Sequence, residues 1–303
     1  MKYIVIATTL HLRNGPSLNY TAIGTLVNGQ TVEFRNNRNA DWWLVAVTIN
    51  GENLVGYVAS RYLKPQTDTP QTVNPNNVIP VHYPTTPSSN LNSVNARFAP
   101  LSETDLPKRN ISATATVATK NAAIETAINY LNVEKSLRYQ PTPQSTYCNI
   151  YAYDLCYLAQ AYLPRVWWTS KTLMDFAKTP NCNPTPLYGK NVLELNANAL
   201  YDWLDEWGSD FGWTRTYDLN DMQQKVNEGR IGVISAKRKD ISRSGHITCV
   251  VPESSGFSAL RNGSALTAPL QSQAGVKNKK HFADNWWVRL AQEFSEVGFW
   301  HHG

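Results

Sequence analysis

One cysteine and one distant histidine carry the chemistry that this sequence offers. Cys148 stands in Gln144-Ser-Thr-Tyr-Cys-Asn-Ile-Tyr-Ala-Tyr-Asp154, where a polar turn leads into an amphipathic run. Thiolate is the reactive form of cysteine, so a useful nucleophile needs its pKa lowered. A helix N-terminus does this with open backbone N–H groups and the positive end of its dipole. Pro141 and Pro143 keep the approach non-helical, and Ser145 or Thr146 is expected to cap the helix, which puts Cys148 on its first turn. The same N–H groups would stabilise the oxyanion of a tetrahedral intermediate, a contribution on the order of 3 kcal/mol per donor.

The base for such a thiol is His246, in Ser244-Gly-His-Ile-Thr-Cys-Val-Val-Pro-Glu253. Of the six histidines it alone opens an apolar strand, behind a Ser-Gly that permits close approach. Its imidazole would take the thiol proton and later deliver it to a leaving amine. A third group should hold the ring in the correct tautomer. If residues 247–251 pair antiparallel with 270–274, the end of the second strand returns beside His246 with Gln271 and Gln273 on one face. Gln273 is the favoured orienter, with Gln271 and Glu253 as alternatives. Asn149, one helix position after Cys148, should point about 100° away, and Asp154 reads as structural.

Composition sets the frame. The 303 residues suffice for two domains, and 42% hydrophobic content is ample for packed cores. The net charge, 28 − 23 = +5, is scattered along the chain, which suits weak attraction to anionic polymers and makes no nucleic-acid footprint. No apolar run is long enough for a membrane span. Cys148, Cys156, Cys182 and Cys249 match neither a zinc site nor a disulfide framework, so no metal and no cofactor is expected. Cys156 and Cys249 fall on apolar faces, and Cys182 lies in a loop without an assignable role. The start, Met1-Lys-Tyr-Ile-Val-Ile-Ala-Thr-Thr-Leu10, lacks a cleavage site and reads as a first strand, so no export signal is evident.

Residues 1–64 read as short strands separated by turns, among them the hairpin turn Ile49-Asn-Gly-Glu52, and suggest a small barrel. Leu12-Arg-Asn-Gly-Pro-Ser17, Ile23-Gly-Thr-Leu26, Trp43-Leu-Val45 and Gly56-Tyr-Val-Ala-Ser-Arg-Tyr-Leu63 resemble the bacterial SH3-like domain. That resemblance implies a module that docks peptidoglycan peptides in an aromatic-lined groove, with Tyr20, Trp42 and Tyr62 as candidates. Residues 65–117 are rich in Pro, Thr and Asn and read as a linker, part of which is expected to lie pinned across one of the domains. Helices are expected around 123–131, from Cys148 to Pro164, over 193–207 and over 219–227. Strands are expected at 230–236, 247–251 and 270–274, with a loop over 254–268. Helices followed by antiparallel strands make residues 118–303 an α+β domain.

The Thr146-Tyr-Cys-Asn149 helix start, followed by Ser244-Gly-His-Ile-Thr-Cys-Val-Val251, resembles the papain-like wall peptidases and amidases of the NlpC and CHAP types. Those enzymes usually show Asp-Cys-Ser where this chain has Tyr147-Cys-Asn149. The resemblance implies helices packed on an antiparallel sheet, Cys148 as nucleophile and His246 as base. It implies a monomeric peptidoglycan hydrolase cutting a stem-peptide amide, as endopeptidase or as N-acetylmuramoyl-L-alanine amidase. Tyr147, Trp167 and Trp168 are further candidates for a substrate groove. A catalytically inactive wall-binding protein, and a transglutaminase or acyltransferase using the same dyad, are the alternatives. The substrate lies in the wall, so release by a phage-like or specialised route is expected.

Overall fold

The computed structural model describes residues 2–37, 41–65, 78–81, 89–94, 97, 99–110, 112, 114–178 and 184–303. Cys182 and most of the Pro-rich stretch before residue 89 lie outside the described residues. Two compact units emerge: residues 1–80 with 168–192 and 205–207, and residues 81–167 with 193–204 and 208–303. Composition draws the boundaries elsewhere. Residues 89–101 belong with the second unit because Ser89, Ala99 and Leu101 are buried in it.

In the first unit seven strands form one antiparallel sheet. They are β1 (Lys2–Val5), β2 (Thr9–Arg13), β3 (Ala22–Val27), β4 (Thr31–Asn37), β5 (Trp42–Ile49), β6 (Glu52–Ala59) and β7 (Leu63–Pro65), in the spatial order β3-β2-β6-β5-β4-β1-β7. Val5, Leu10, Leu12, Leu26, Val32, Val45 and Val58 supply the core, and Tyr3, Phe34 and Trp43 pack edge to face or tilted beside it. Asn50 and Gly51 take left-handed φ values of 52° and 84°, the conformation that a two-residue hairpin between β5 and β6 demands.

The second unit is built on a six-stranded antiparallel sheet. In chain order come α1 (Val117–Leu131), α2 (Cys148–Leu158), β8 (Val166–Trp168), α3 (Ser170–Lys178), β9 (Val192–Glu194), α4 (Ala197–Glu206), β10 (Trp213–Thr216), α5 (Leu219–Asn227), β11 (Ile231–Arg238) and β12 (His246–Val250). They are followed by β13 (Leu260–Asn262), β14 (Ala265–Ala268), β15 (Leu270–Gln273), β16 (Lys279–Ala283), α6 (Trp286–Arg289) and β17 (Phe294–His302). The large sheet runs β10-β17-β11-β12-β15-β16. Helix α3 belongs to the first unit.

Both faces of this sheet are covered. Tyr151 of α2 and Ser272 of β15 share a hydroxyl hydrogen bond of 2.5 Å on one face. On the other, Met222 and Val226 of α5 pack with Ile234, Val250 and Trp286. The expected pairing of the histidine strand with the glutamine strand is present, Cys249 opposite Ser272 and Val250 opposite Gln271.

Several elements differ from the sequence reading. Helix α2 stops at Leu158, since Gln160 takes φ 57° and turns the chain before Pro164 is reached. Residues 192–194 are strand, so the third expected helix starts only at Ala197. The loop expected over 254–268 contains the β13–β14 hairpin. Strand β17, between β10 and β11, has an irregular in–out pattern, broken by Gly298, that gave no clear strand period.

What fixes α2 in place is a buried ion pair. Arg138 donates from Nε to Asp154 Oδ2 at 2.6 Å and from Nη2 to Oδ1 at 3.1 Å, and neither side chain is exposed to solvent. Tyr139 OH donates to the same carboxylate at 2.8 Å. Arg138 also donates to Ser89 Oγ, and to the Ala99 carbonyl at 2.9 Å. One guanidinium thus joins α2 to the Pro-rich segment and pins it. Removing one partner strands the other in the core, so Arg138→Met or Asp154→Leu alone is expected to destabilise the chain by about 3–5 kcal/mol, and the double replacement by clearly less. Urea unfolding of the three variants measures this. Arg138→Met should also open residues 89–110 to protease under native conditions.

Candidate active site

Tyr147 is the N-cap of α2, with φ −121° and ψ 37°, and its side chain makes no capping hydrogen bond. The expected cap by Ser145 or Thr146 is absent. Ser145 is instead drawn into a turn with Thr142, which donates N–H to its carbonyl at 2.9 Å, while Ser145 N–H reaches Thr142 Oγ1 at 3.1 Å. The start of the helix is therefore not claimed by a cap, and the Asn149 N–H donates to the Cys148 sulfur. A second backbone donor, Ile247 N–H, reaches the same sulfur from β12.

Cys148 and His246 are joined by a hydrogen bond. Burial pushes the Cys148 thiol up, but the hydrogen bond and charge of His246, with the two backbone donors, bring it net below the ordinary thiol value. Burial likewise pulls the His246 imidazole down. The hydrogen bond and charge of Cys148, helped by Gln273, carry it net above the ordinary value. Arg238 opposes this rise. It is itself held by Glu293 and by the Ser244 carbonyl, to which its Nε donates at 3.2 Å.

Gln273 sits at the end of β15 with its Oε1 2.8 Å from His246 Nε2. Its own Nε2 donates to the Lys277 carbonyl at 3.1 Å, which leaves Oε1 to accept from the ring. A proton fixed on Nε2 leaves Nδ1 as the accepting nitrogen of the ring. The turn after β15 is anchored by Asn278, whose Oδ1 accepts from Gly275 N–H and whose Nδ2 donates to the Val133 and Tyr139 carbonyls.

The structure thus brings Cys148, His246 and Gln273 together. Gln271 is buried one step along the same face. Its Oε1 accepts from Thr248 Oγ1 at 2.8 Å and from Trp286 Nε1 at 3.0 Å, and its Nε2 donates to the Pro269 and Asp284 carbonyls. Glu253 lies elsewhere, gripped by both terminal nitrogens of Arg261 at 2.7 Å, by Asn227 and by Ala259 N–H. The Arg261 hydrogen bonds hold its carboxyl down to about 2. Asn149 points aside, as its helical position dictates, and donates to the Leu195 carbonyl.

Sequence reasoning did not place Trp286 on His246. The two rings meet edge to face, with centroids 4.8 Å apart and planes at 76°. Gln271 fixes that indole, which then covers the imidazole.

The proposed groove residues fare differently. Tyr147 is half-buried and its ring carries the Arg97 guanidinium 3.9 Å above it. Trp167 and Trp168 are both core residues. Trp167 packs edge to face on Trp203 and Phe211, and Trp168 packs on Phe176 while donating to the Ile79 carbonyl at 2.9 Å. Both are large enough to be drawn into the nearest apolar cluster, which buries them. In the first unit, Tyr62 packs against the sheet's core under the Arg61 guanidinium, and Trp42 is half-buried opposite Ala59. Tyr20 remains exposed and lines a cavity.

Among the described residues, no cluster of three or more His, Cys, Asp or Glu side chains could hold a metal ion, and no helix is long and apolar enough to cross a membrane.

Comparison with known proteins bears on the N-terminal part. No curated protein matches the chain. Among solved structures it is similar to NlpC2 from Trichomonas vaginalis, at 9% identity and a TM-score of 0.21, over 94% of this chain and 70% of that one. So slight a likeness carries no argument. Residues 8–64 match the family model of the bacterial SH3 domain, the segment that carries β2 to β6 and most of β7.

Proposed function

We propose that this protein is a papain-like thiol hydrolase of peptidoglycan, of the NlpC or CHAP kind, cutting an amide of the stem peptide. The observation that carries the reading is the hydrogen-bonded row of Cys148, His246 and Gln273 at an uncapped helix start. The substrate class comes from the bacterial SH3 domain on the same chain, read as a module that holds wall peptides.

The reaction follows from the row. Cys148 gives its proton to Nδ1 of His246, and the thiolate attacks the amide carbonyl carbon. The carbon–sulfur bond forms as the carbonyl electrons move onto oxygen, where first-turn N–H groups of α2 receive the negative charge. Collapse breaks the carbon–nitrogen bond, and the imidazolium proton goes to the departing amine. His246 then takes a proton from water, the hydroxide attacks the thioester, and the acid and free thiol are released. Gln273 acts as a positioning residue throughout, holding the tautomer, while Trp286 covers the ring.

Three outcomes test this. Cys148→Ala, folded like the parent by circular dichroism, is expected to release no fragments from purified peptidoglycan, and full release would sink the mechanism. Mass spectrometry of the parent's fragments identifies the bond, as either a muramoyl–alanine amide or a peptide bond.

The pH profile supplies the second. The lowered thiol pKa and the raised imidazole pKa both favour the pair of thiolate and imidazolium. Activity should therefore begin below the ordinary thiol range, about 8.5, and fall only as His246 deprotonates, above its ordinary value of about 6.5. Iodoacetamide alkylation of Cys148 across pH reports the acidic limb independently of any substrate.

Gln273→Ala is the third. It removes a hydrogen bond that raises the imidazole, so the basic limb should move to lower pH and kcat/KM should drop, by roughly a hundredfold. Gln273→Asn should recover part of both. A loss of rate with no change in the profile would make Gln273 a packing residue only.

A further inference from the structure

The segments that meet at Cys148, His246 and Gln273 each bring a cation without a carboxylate partner among the described residues. The first is Arg97, from the Pro-rich segment that Arg138 pins. Its guanidinium lies 3.9 Å above the ring of Tyr147, the residue before the candidate nucleophile. Nη2 donates to the Leu137 carbonyl at 2.9 Å, and Nε is buried without a partner. A guanidinium carries five N–H donors, so one carbonyl leaves most of the fork unspent and none of its charge neutralised.

The second is Arg243, on the loop between β11 and β12, three residues before His246. Its backbone is held by Asn198, a buried residue of α4, which donates to the Arg243 carbonyl at 2.9 Å and accepts from Arg238 N–H at 2.9 Å. The Arg243 side chain is exposed and makes no ion pair among the described residues. Asp240, whose charge it feels, is already held by Ser242, through N–H at 3.0 Å and Oγ at 2.6 Å. Arg238, by contrast, is matched by Glu293. The third cation is Lys277, exposed in the turn whose carbonyl accepts from Gln273.

Charges of one sign around a site draw in ligands of the other and reject their own kind. Guanidinium forks match a carboxylate with charge-assisted hydrogen bonds, roughly twice as strong as those a neutral carboxamide of the same size returns. We propose that Arg97 and Arg243 select peptides bearing a free carboxylate beside the amide that Cys148 attacks, over peptides in which that group is a carboxamide. The proposal rests on the reading of the Cys148 site as a hydrolase of wall peptides, and it adds the feature of the peptide that is recognised.

The test uses the full chain carrying Cys148→Ala, so that no peptide is consumed. Isoleucine δ-methyl groups are labelled for NMR. Ile241, 77% exposed on the same loop as Arg243, reports the site, and Ile124, buried in α1, is the internal control. The probe is Ala-γ-D-Glu-Ala blocked at both ends, compared with the same peptide whose glutamate α-carboxylate is a carboxamide. The expected result is a saturable shift of Ile241 with Ile124 unmoved, and binding about tenfold weaker for the carboxamide.

Arg97→Gln and Arg243→Gln should each reduce that preference, and the double variant should bind the two peptides alike. A stationary Ile241 signal, equal affinity for the two peptides in the parent, or a preference that survives in the folded double variant would overturn the proposal. If the double variant does not fold, Arg243→Gln alone decides, since its side chain is exposed, and an unchanged preference there overturns the proposal too. Comparing two peptides within one variant separates charge recognition from a general loss of structure. Hydrolysis is read separately. A chain that prefers the carboxylate but releases nothing from peptidoglycan refutes the mechanism alone, and one that cleaves but binds both peptides equally refutes this proposal alone.

Discussion

The second unit hangs on one buried guanidinium. Arg138 carries a full charge where no water reaches, and everything that satisfies it becomes fixed by doing so. Asp154 is on α2, Tyr139 supplies a further hydrogen bond to the carboxylate, and Ser89 and Ala99 come from the Pro-rich segment. A segment with no periodic apolar face gains a defined position because it supplies acceptors to a charge that must have them. The helix that begins with the candidate nucleophile is held by the same set of bonds, two turns further along.

At the site itself, burial and hydrogen bonding oppose each other on both reactive groups, and hydrogen bonding prevails on both. A dry environment favours a neutral thiol beside a neutral imidazole. Donors from Asn149 and Ile247 to the sulfur, and the acceptor from Gln273 to the ring, favour charge on each. The mutual hydrogen bond and charge of the two side chains come first on each, and the backbone donors and Gln273 add to them. Trp286 adds a cover to the imidazole, and Gln271, which fixes that indole, acts on the site only through it.

Much of this was legible in the residues. Prolines before a polar turn placed Cys148 at a helix start, and pairing of two apolar strands brought Gln273 beside His246. Both rest on local chemistry: where a helix can begin, and which residues share a strand face. The capping of α2 was misread because Ser145 has an equally good partner in Thr142, and sequence does not rank the two. Trp167 and Trp168 were taken for surface groove residues, and burial in aromatic clusters removes them from that role. Strand β17 escaped because it shows no clear period over its length, and tertiary packing, rather than local preference, makes it regular. Trp286 could not be assigned to His246, since the contact depends on a turn of chain whose path only the fold supplies.

The place of β17 has a consequence for how the molecule comes into being. It lies between β10 and β11, and it is later in the chain than Cys148, His246 and Gln273. During synthesis Cys148, His246 and Gln273 all leave the ribosome while β11 still lacks its neighbour on one side. Strand β11 in turn carries β12, on which His246 stands. The thiol is therefore made long before the sheet that aligns its partner is complete. A nascent or truncated chain carries Cys148 before the sheet behind His246 is complete.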